Sequence, residues 1–275
     1  MSRKAIIIES SQVEGLDDLN GARKDAKNWN NFLLSNLGGA WSSRDIVVLN
    51  TPLMSDVLSA ISESSVDYLF VAFSGHGGIV DGKEVICLKN GDYPISLLKK
   101  LICDRCPKAT LVLDCCRSED ENVDVQVEKS VPQFESQGRA RSTHHDGPVY
   151  CRTGTYSFGE KMGMGIPLPS VSVSSFASAW LASLNNCSEG LVTMWACSRG
   201  QGAGENSSET SKAGGYFTTA LIKAAMKWDK LTSTPYLIYK TSEAFNDSSA
   251  FMHDPQQTPE YDPEWLSFPF AISTW

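Results

Sequence analysis

The sequence has no long hydrophobic run, no excess of basic residues and no internal repeat. Its 275 residues include 24 lysines and arginines against 32 acidic residues, for a net charge of -8, which argues against a surface that binds nucleic acid directly. No apolar run reaches the length of about 20 residues that a membrane-spanning helix needs, and the run Ala5–Ile8 is too short for a secretory signal. We therefore expect a cytoplasmic protein with neither nucleic acid nor a membrane as a partner.

Cysteine is well represented, with eight residues. An even number is compatible with disulfides in a secreted protein, but a chain of this size without a secretory signal is expected to keep its cysteines reduced. A free thiolate is then available for chemistry.

Alternating strand and helix patterns indicate one large α/β domain. Strands are predicted at 4–9, 45–49, 67–73, 109–113, 190–197 and 268–272, and helices at 20–37, 55–62, 94–103, 176–184, 216–228 and 234–245. Such alternation predicts a largely parallel sheet. A hairpin turn is also predicted at Asp81-Gly82, between two short apolar arms.

Polar clusters follow two of the predicted strands. The run Leu111–Leu113 ends in Asp114-Cys115-Cys116, and the preceding strand runs into Ser74-Gly75-His76-Gly77-Gly78. The carboxyl ends of parallel strands are where open α/β sheets place their sites, and the glycines let a substrate approach the backbone closely. We expect both clusters at the same mouth of the sheet.

Cys116 and His76 fit the roles of nucleophile and base. A cysteine attacks as its thiolate, and a neighbouring histidine favours the thiolate and later protonates the leaving amine. Consecutive parallel strands would bring the two residues together although 40 positions separate them (116 minus 76). The alternative is that both are structural, since free cysteine is commonly buried; the joint occurrence of the two clusters favours the catalytic interpretation.

The two clusters, Phe73-Ser74-Gly75-His76-Gly77 and Asp114-Cys115-Cys116-Arg117-Ser118, resemble the catalytic motifs of the caspase-like cysteine peptidases. The closest branch is the metacaspases and prokaryotic orthocaspases, whose cysteine motif begins Asp-x-Cys and therefore identifies Cys116 as the nucleophile. Caspases proper carry Gln-Ala-Cys-x-Gly instead, so cleavage after aspartate is not expected. The resemblance implies a caspase-like fold, with a central, mostly parallel six-stranded sheet and helices on both faces. The N–H groups of Gly77 and Cys116 would hold the oxyanion.

A basic specificity pocket is implied by a further resemblance. The segment Leu19–Ala26 is similar to the metacaspase N-terminal motif, in which a cysteine and then an acid line the first pocket. Ala22 replaces that cysteine and Asp25 retains the acid. With Ser74 and Asp114, the resemblance implies two carboxylates and a hydroxyl, which would select arginine or lysine. The alternative for Asp25 is a solvated helix face.

Residues 196–205 resemble the small-subunit loop of the family, which often has an acid near the position of Arg199. An arginine beside an acidic pocket is expected either to pair with Asp114 or Asp25 when no substrate is bound, or to shift the preference away from basic residues. We expect the pairing.

The chain is interpreted as one caspase-like domain in three parts. Residues 1–120 form a large-subunit-like part with the dyad, residues 121–188 a variable, partly flexible connection, and residues 189–275 a small-subunit-like part. The resemblance implies that the connection is cut during activation. Self-cleavage candidates are Arg139 and Arg141, with Lys129 and Arg152 as further positions; the alternative is an insertion that is not processed.

Calcium is the one cofactor that the resemblance raises, because many metacaspases need it. Glu119, Asp120 and Asp124 are the candidate ligands. A calcium site needs oxygens from several segments, and an acidic run is usually a solvated face. We therefore expect that no cofactor is required and keep calcium as the alternative.

Together these patterns predict a cysteine endopeptidase that cleaves proteins or peptides after a basic residue. The alternative is a catalytically silent or partner-regulated caspase-fold module that binds a basic peptide without cutting it. Retention of both His76 and Cys116 argues against a silent module. A regulatory protein partner is retained as a hypothesis.

Overall fold

The computed structural model describes residues 1–119, 142–143, 173–205, 214–228, 237–249 and 257–272. Its strands are β1 (Arg3–Ser10), β2 (Ile46–Asn50), β3 (Tyr68–Gly75), β4 (Gly77–Val80), β5 (Lys83–Leu88), β6 (Gly91–Pro94), β7 (Lys108–Asp114), β8 (Ser142–Thr143), β9 (Gly190–Trp195), β10 (Gly204–Glu205), β11 (Ile238–Lys240), β12 (Glu260–Asp262) and β13 (Pro269–Ile272). Its helices are α1 (Asn20–Leu34), α2 (Met54–Ser62), α3 (Ile95–Arg105), α4 (Val173–Asn185), α5 (Tyr216–Trp228) and α6 (Thr241–Ser249), with a 3-10 turn at Ser43–Asp45.

A six-stranded sheet in the order β12-β9-β7-β3-β1-β2 forms the centre of the protein. Five of its strands are parallel, and only β12 runs antiparallel to its neighbour β9. The continuous apolar run of β1 is buried on both sides, as expected for a strand covered by helices on each face. The prediction of a mostly parallel six-stranded sheet is confirmed.

Helices cover both faces of the central sheet, and the sheet divides the core in two. Ala5 and Ile7 of β1 face one core, which α1, α4, α5 and α6 complete, whereas Ile6 and Ile8 face the other, which α2 and α3 complete. This division follows from the two-residue period of a strand. Among the described residues, no helix is long and apolar enough to cross a membrane.

A buried arginine closes the first core at the amino ends of the strands. The Arg3 guanidinium lies 4.3 Å from the ring centroid of Trp41 and 4.7 Å from that of Trp180. Its Nη2 donates to the carbonyl oxygens of Gly39 and Ala40, at 2.7 and 3.1 Å. Burial lowers the pKa of Arg3 to about 10.

The hairpin after β3 forms as predicted, with one addition. Asp81 and Gly82 have φ angles of 51° and 72°, which is the pair of positive values that a tight two-residue hairpin requires. The strand β6, which was not predicted, pairs with β5 and extends the hairpin into a three-stranded sheet.

Two sequence predictions of secondary structure were wrong in part. The predicted helix 20–37 ends at Leu34, because the Ser35 hydroxyl accepts from the Gly38 amide at 3.1 Å and closes a turn there. The predicted helix 234–245 is instead the strand β11 followed by α6, and β11 pairs with β13. The final strand therefore lies outside the central sheet. Pairing of this kind depends on partners 29 to 34 residues apart in the chain, which local propensity does not report.

The division into a large part, a connection and a small part stays a prediction. The candidate cleavage positions Arg139, Arg141, Lys129 and Arg152 lie outside the described residues.

Candidate active site

The sheet register places His76 and Cys116 side by side. Ser74 of β3 pairs with Asp114 at the end of β7, and each candidate lies two residues after its member of this pair. Adjacent strands lie about 4.8 Å apart, so the two residues emerge at the same level of the sheet edge. Both are buried, with 0% and 1% of their surface exposed.

A backbone carbonyl orients the histidine. His76 Nε2 lies 2.7 Å from the carbonyl oxygen of Asp17, in the loop between β1 and α1. A carbonyl only accepts, so Nε2 carries the hydrogen, and in the neutral ring Nδ1 is then the acceptor. The loop thus supplies an orienting group that sequence patterns cannot reveal, because every residue type has a carbonyl.

The candidate nucleophile lies beneath the loop that follows β9. Cys116 Sγ accepts a hydrogen bond from the Ala203 amide at 3.3 Å and lies 3.9 Å from the Ala203 carbonyl oxygen. Only 1% of the surface of Cys116 is exposed. A substrate carbonyl therefore reaches this sulfur only after the residues around Ala203 have moved.

Cys115 belongs to the core and restricts the residue next to the histidine. It is fully buried within the core formed with α2 and α3. A Cβ at Gly77 would lie 2.9 Å from Cys115 Sγ and 2.9 Å from the Val85 carbonyl oxygen. Position 77 therefore has no room for a side chain, and its backbone lies close to the cysteine loop.

The predicted pocket residues Asp25 and Ser74 are in contact. The Ser74 hydroxyl donates to Asp25 Oδ2 at 2.6 Å, and the Gly215 amide donates to Asp25 Oδ1 at 2.9 Å. Asp25 is fully buried, so the alternative of a solvated helix face is wrong.

Asp114, the third predicted pocket residue, lies at the start of α5. Its Oδ2 accepts from the Thr218 amide at 3.0 Å. Gly215, a partner of Asp25, immediately precedes the same helix. An anion is favoured at a helix N-terminus, where amide groups are exposed and the helix dipole is positive. The start of α5 therefore brings two buried carboxylates to one place.

Glu205 is a third buried carboxylate that sequence reasoning missed. Its Oε1 accepts a hydrogen bond from the Gly21 amide at 3.2 Å, and its backbone forms an isolated antiparallel β-bridge with Gly215. A Cβ on Gly21 would lie 2.5 Å from Glu205 Oε2, so the carboxylate fits against a residue without a side chain. Glu205 and Asp25 thus share Gly215 as a neighbour. The signal available in the sequence was an acid at the end of a glycine-rich loop.

Arg199 does not pair with the pocket acids as expected. It is exposed, and its Nη2 lies 3.3 Å from the carbonyl oxygen of Gly82 in the hairpin. No ion pair among the described residues joins Arg199 to Asp25 or Asp114. The predicted pairing is wrong, because this side chain instead contacts the turn of the hairpin.

The candidate calcium ligands are only partly described. Glu119 is exposed and forms an isolated bridge with Ile79, while Asp120 and Asp124 lie outside the described residues. Within the described ranges, no three histidine, cysteine or acidic side chains are grouped so that they could hold a metal ion.

Comparisons with known proteins agree with the observed fold. The family model described as caspase domain matches residues 2–270. Among solved structures, caspase-1 from Spodoptera frugiperda is similar with a TM-score of 0.55 at 12% identity, over 94% of this chain and 85% of that chain. At this identity the likeness concerns the fold alone. No curated protein sequence matches the chain.

Proposed function

The chain belongs to the caspase domain family of cysteine peptidases, and we propose that it is an endopeptidase that cleaves proteins or peptides after arginine or lysine. His76 and Cys116 form the proposed dyad. The observation that carries the proposal is their common level at the ends of adjacent strands, with the His76 ring oriented by the Asp17 carbonyl. This register supports the proposal, because cysteine-dependent hydrolysis needs a base close to the thiol.

The proposed reaction follows the usual sequence of a thiol peptidase. Nδ1 of His76 takes the proton from Cys116, and the thiolate attacks the carbonyl carbon of the scissile bond. The N–H groups of Gly77 and Cys116 hold the oxyanion. His76 then gives its proton to the leaving amine, and a water molecule, deprotonated by His76, hydrolyses the thioester and restores the thiol.

The preference for a basic residue rests on three buried carboxylates. Asp25 and Asp114 lie at the start of α5, and Glu205 lies beside Gly215. A guanidinium or ammonium group entering this region gains charge-assisted hydrogen bonds, whereas an acidic side chain is repelled. Glu205 thus joins the residues proposed for the pocket.

Regulation by a partner is the second candidate, and the burial of Cys116 under Ala203 favours it. The covered nucleophile is consistent with a latent enzyme that becomes active when the loop moves, after cleavage at Arg139 or Arg141 or on binding a regulatory protein.

No cofactor enters the proposed reaction, and calcium is the alternative trigger. A reducing cytoplasm fits the thiol chemistry, and no disulfide joins any of the cysteines among the described residues.

Cleavage of fluorogenic peptides tests the activity. Peptides that differ only in arginine, lysine, citrulline or aspartate at the cleaved position are assayed with wild type and Cys116→Ala, with and without calcium. We expect cleavage of the arginine and lysine peptides by wild type alone. Cleavage by Cys116→Ala, or a preference for aspartate, would refute the proposal.

Intact mass of the purified proteins tests self-processing. Fragments that begin after Arg139 or Arg141 in wild type, and their absence from Cys116→Ala, support cleavage of the connection. Intact wild-type chain that already cleaves peptides would show that processing is not the trigger.

A further inference from the structure

Arg117 follows the proposed nucleophile and is itself buried, with 8% of its side chain exposed. We propose that Arg117 is a positioning residue: through Glu84 it fixes the loop that carries Cys116 to the hairpin that follows His76, and so sets the alignment of the two reacting groups. The inference rests on the proposed function for its catalytic meaning, but it makes a separate prediction about the reactivity of one thiol.

The guanidinium of Arg117 is held on nearly all sides. Nε and Nη2 donate to the same oxygen of Glu84, at 2.8 and 2.6 Å. Nη1 donates to the Glu260 carboxylate and, at 3.0 Å, to the carbonyl oxygen of Cys197. The guanidinium carbon lies 4.0 Å from the centroid of the Trp195 ring. A planar fork with five N–H donors suits such a site, whereas a lysine, as a point charge, does not.

The hairpin that carries Glu84 begins directly after His76. β4 begins at Gly77, immediately after His76, and the Cys87 amide of β5 donates to the His76 carbonyl at 3.0 Å. Glu84 pairs with Ile79 across the hairpin. A displacement of Glu84 therefore moves the hairpin that begins directly after the histidine and that binds its carbonyl oxygen.

Two contacts tie this hairpin to the cysteine loop. One is the ion pair between Glu84 and Arg117, and the other is a backbone hydrogen bond of 2.8 Å from the Ile79 amide to the Ser118 carbonyl. Arg117 and Ser118 are the two residues directly after Cys116. The proposed dyad residues follow neighbouring strands that the sheet already holds together. The two contacts thus form a second link between them, beyond the sheet edge.

The backbone of Arg117 also holds the loop that covers the nucleophile. Its amide donates to the Gln201 carbonyl at 2.9 Å, and its carbonyl accepts from the Gly200 amide at 2.7 Å. Ala203, which contacts Cys116 Sγ, follows two residues after Gln201. The same residue therefore connects the hairpin, the nucleophile and the covering loop.

Charge balance favours positioning over direct activation of the thiol. Burial lowers the pKa of Arg117, but hydrogen bonds to Glu260 and Glu84 outweigh that effect and raise it, so the side chain stays charged. Two carboxylates against one guanidinium leave no net positive charge to stabilise a thiolate. The contribution to the reaction is therefore geometric.

Glu84 and Glu260 form a matched pair for the test, because they bind the same guanidinium but only Glu84 lies on the hairpin next to His76. We would measure kcat and KM for the arginine peptide, the thermal unfolding temperature, and the pH dependence of Cys116 alkylation by iodoacetamide. The variants are Glu84→Gln and Glu260→Gln. Peptide mapping locates the label, and Cys116→Ala is the blank.

We expect Glu84→Gln to lower kcat about 10- to 100-fold, since a misplacement of about 1 Å has effects of that size. KM should stay within about twofold, and alkylation of Cys116 should require a higher pH because the histidine no longer supports the thiolate. Glu260→Gln should lower the unfolding temperature and leave kcat and the alkylation profile unchanged. Should Glu84→Gln fail to fold, Glu84→Asp, which keeps the charge but shortens the reach, is expected to show the same split.

Equal loss of kcat in both variants, or a change in unfolding temperature alone, would overturn the proposal. If wild type cleaves no peptide, the proposed function fails, whereas the alkylation profiles still decide whether Glu84 aligns the dyad.

Discussion

Two buried arginines lie at opposite ends of the central sheet, and each stacks on tryptophan. Arg3, at the amino ends, packs against both Trp41 and Trp180 and donates to backbone carbonyls, and burial dominates and lowers its pKa. Arg117, at the carboxyl ends, lies against Trp195 and binds two carboxylates, so its pKa is raised. The same side chain is thus part of the core at one end and an ionic link between segments at the other.

The two arginines differ in where their partners lie, which suggests that one contributes to stability and the other to the chemistry of the candidate site. Arg3 is surrounded by elements of one core, including β1 and α4, and none of its partners lies near His76 or Cys116. Arg117 joins a hairpin, a loop and an edge strand, all of which lie around the site. We expect changes around Arg3 to affect unfolding alone, and a change in the link between Arg117 and Glu84 to affect catalysis.

The largest effect is expected from a pocket carboxylate. Asp25→Asn keeps the side-chain shape but removes a buried charge, so kcat/KM for the arginine peptide should fall about 100- to 1,000-fold. The citrulline peptide, which is neutral, is the matched control, and its cleavage should not fall. Equal losses on both peptides would show that Asp25 maintains the fold and not the specificity.

Removal of Arg3 should have a smaller effect, on stability alone. Arg3→Ala leaves a cavity beside the two indole rings and two carbonyls without their donor, which should lower the free energy of unfolding by about 2 to 4 kcal/mol. Arg3→Met, which keeps the stacking, should lose less. Denaturant unfolding gives the free energies, and kcat per folded molecule should not change. A fall in kcat without a loss of stability would break the comparison between the two ends.

Alkaline pH should reduce stability through one group at each end of the sheet, and the loss should begin at a different pH for each group. Burial raises the pKa of Cys197 above its ordinary value of 9.0, and burial likewise raises the pKa of Tyr68 above 10.0. The unfolded chain releases these protons first, so stability is complete below the ordinary value and falls above it by about 1.4 kcal/mol per pH unit for each group.

Unfolding of Cys197→Ala and Tyr68→Phe from pH 8 to 11 checks this assignment. The first variant should lose the part of the slope that begins near the ordinary value for cysteine, and the second the part that begins near that for tyrosine. Wild-type slopes in both variants would mean that neither group holds its proton in the folded state.

The smallest effect is expected from an exposed ion pair, which supplies a baseline for the buried ones. Lys100 and Asp104 lie 2.5 Å apart on α3, one turn from each other, with 69% and 56% of their side chains exposed. Asp104→Asn should change the free energy of unfolding by less than about 0.5 kcal/mol and leave kcat unaltered. A loss as large as that in Glu260→Gln would show that burial does not distinguish the Arg117 ion pairs from a surface contact.

The strands, and the placement of the candidate dyad after two of them, could be predicted because their signals are local. Continuous apolar runs in β1, β3 and β7 indicate strands buried on both faces, and glycine, histidine and cysteine follow those strands directly. Parallel order then brings the carboxyl ends together without knowledge of any loop. The direction of Arg199 was not predictable, since it depends on the path of an irregular loop.

The sequence by itself determined the sheet, the identity of the candidate nucleophile and base, and the presence of acids near them, because period, burial and residue type are properties of short segments. Only the tertiary structure decided which groups serve the site. The Asp17 carbonyl reaches His76 over 59 positions, Glu205 reaches Gly21 over 184, and Arg117 reaches Glu260 over 143. Such contacts join segments whose separation in the chain carries no information about their separation in space, and two of them use a backbone group, the Asp17 carbonyl and the Gly21 amide.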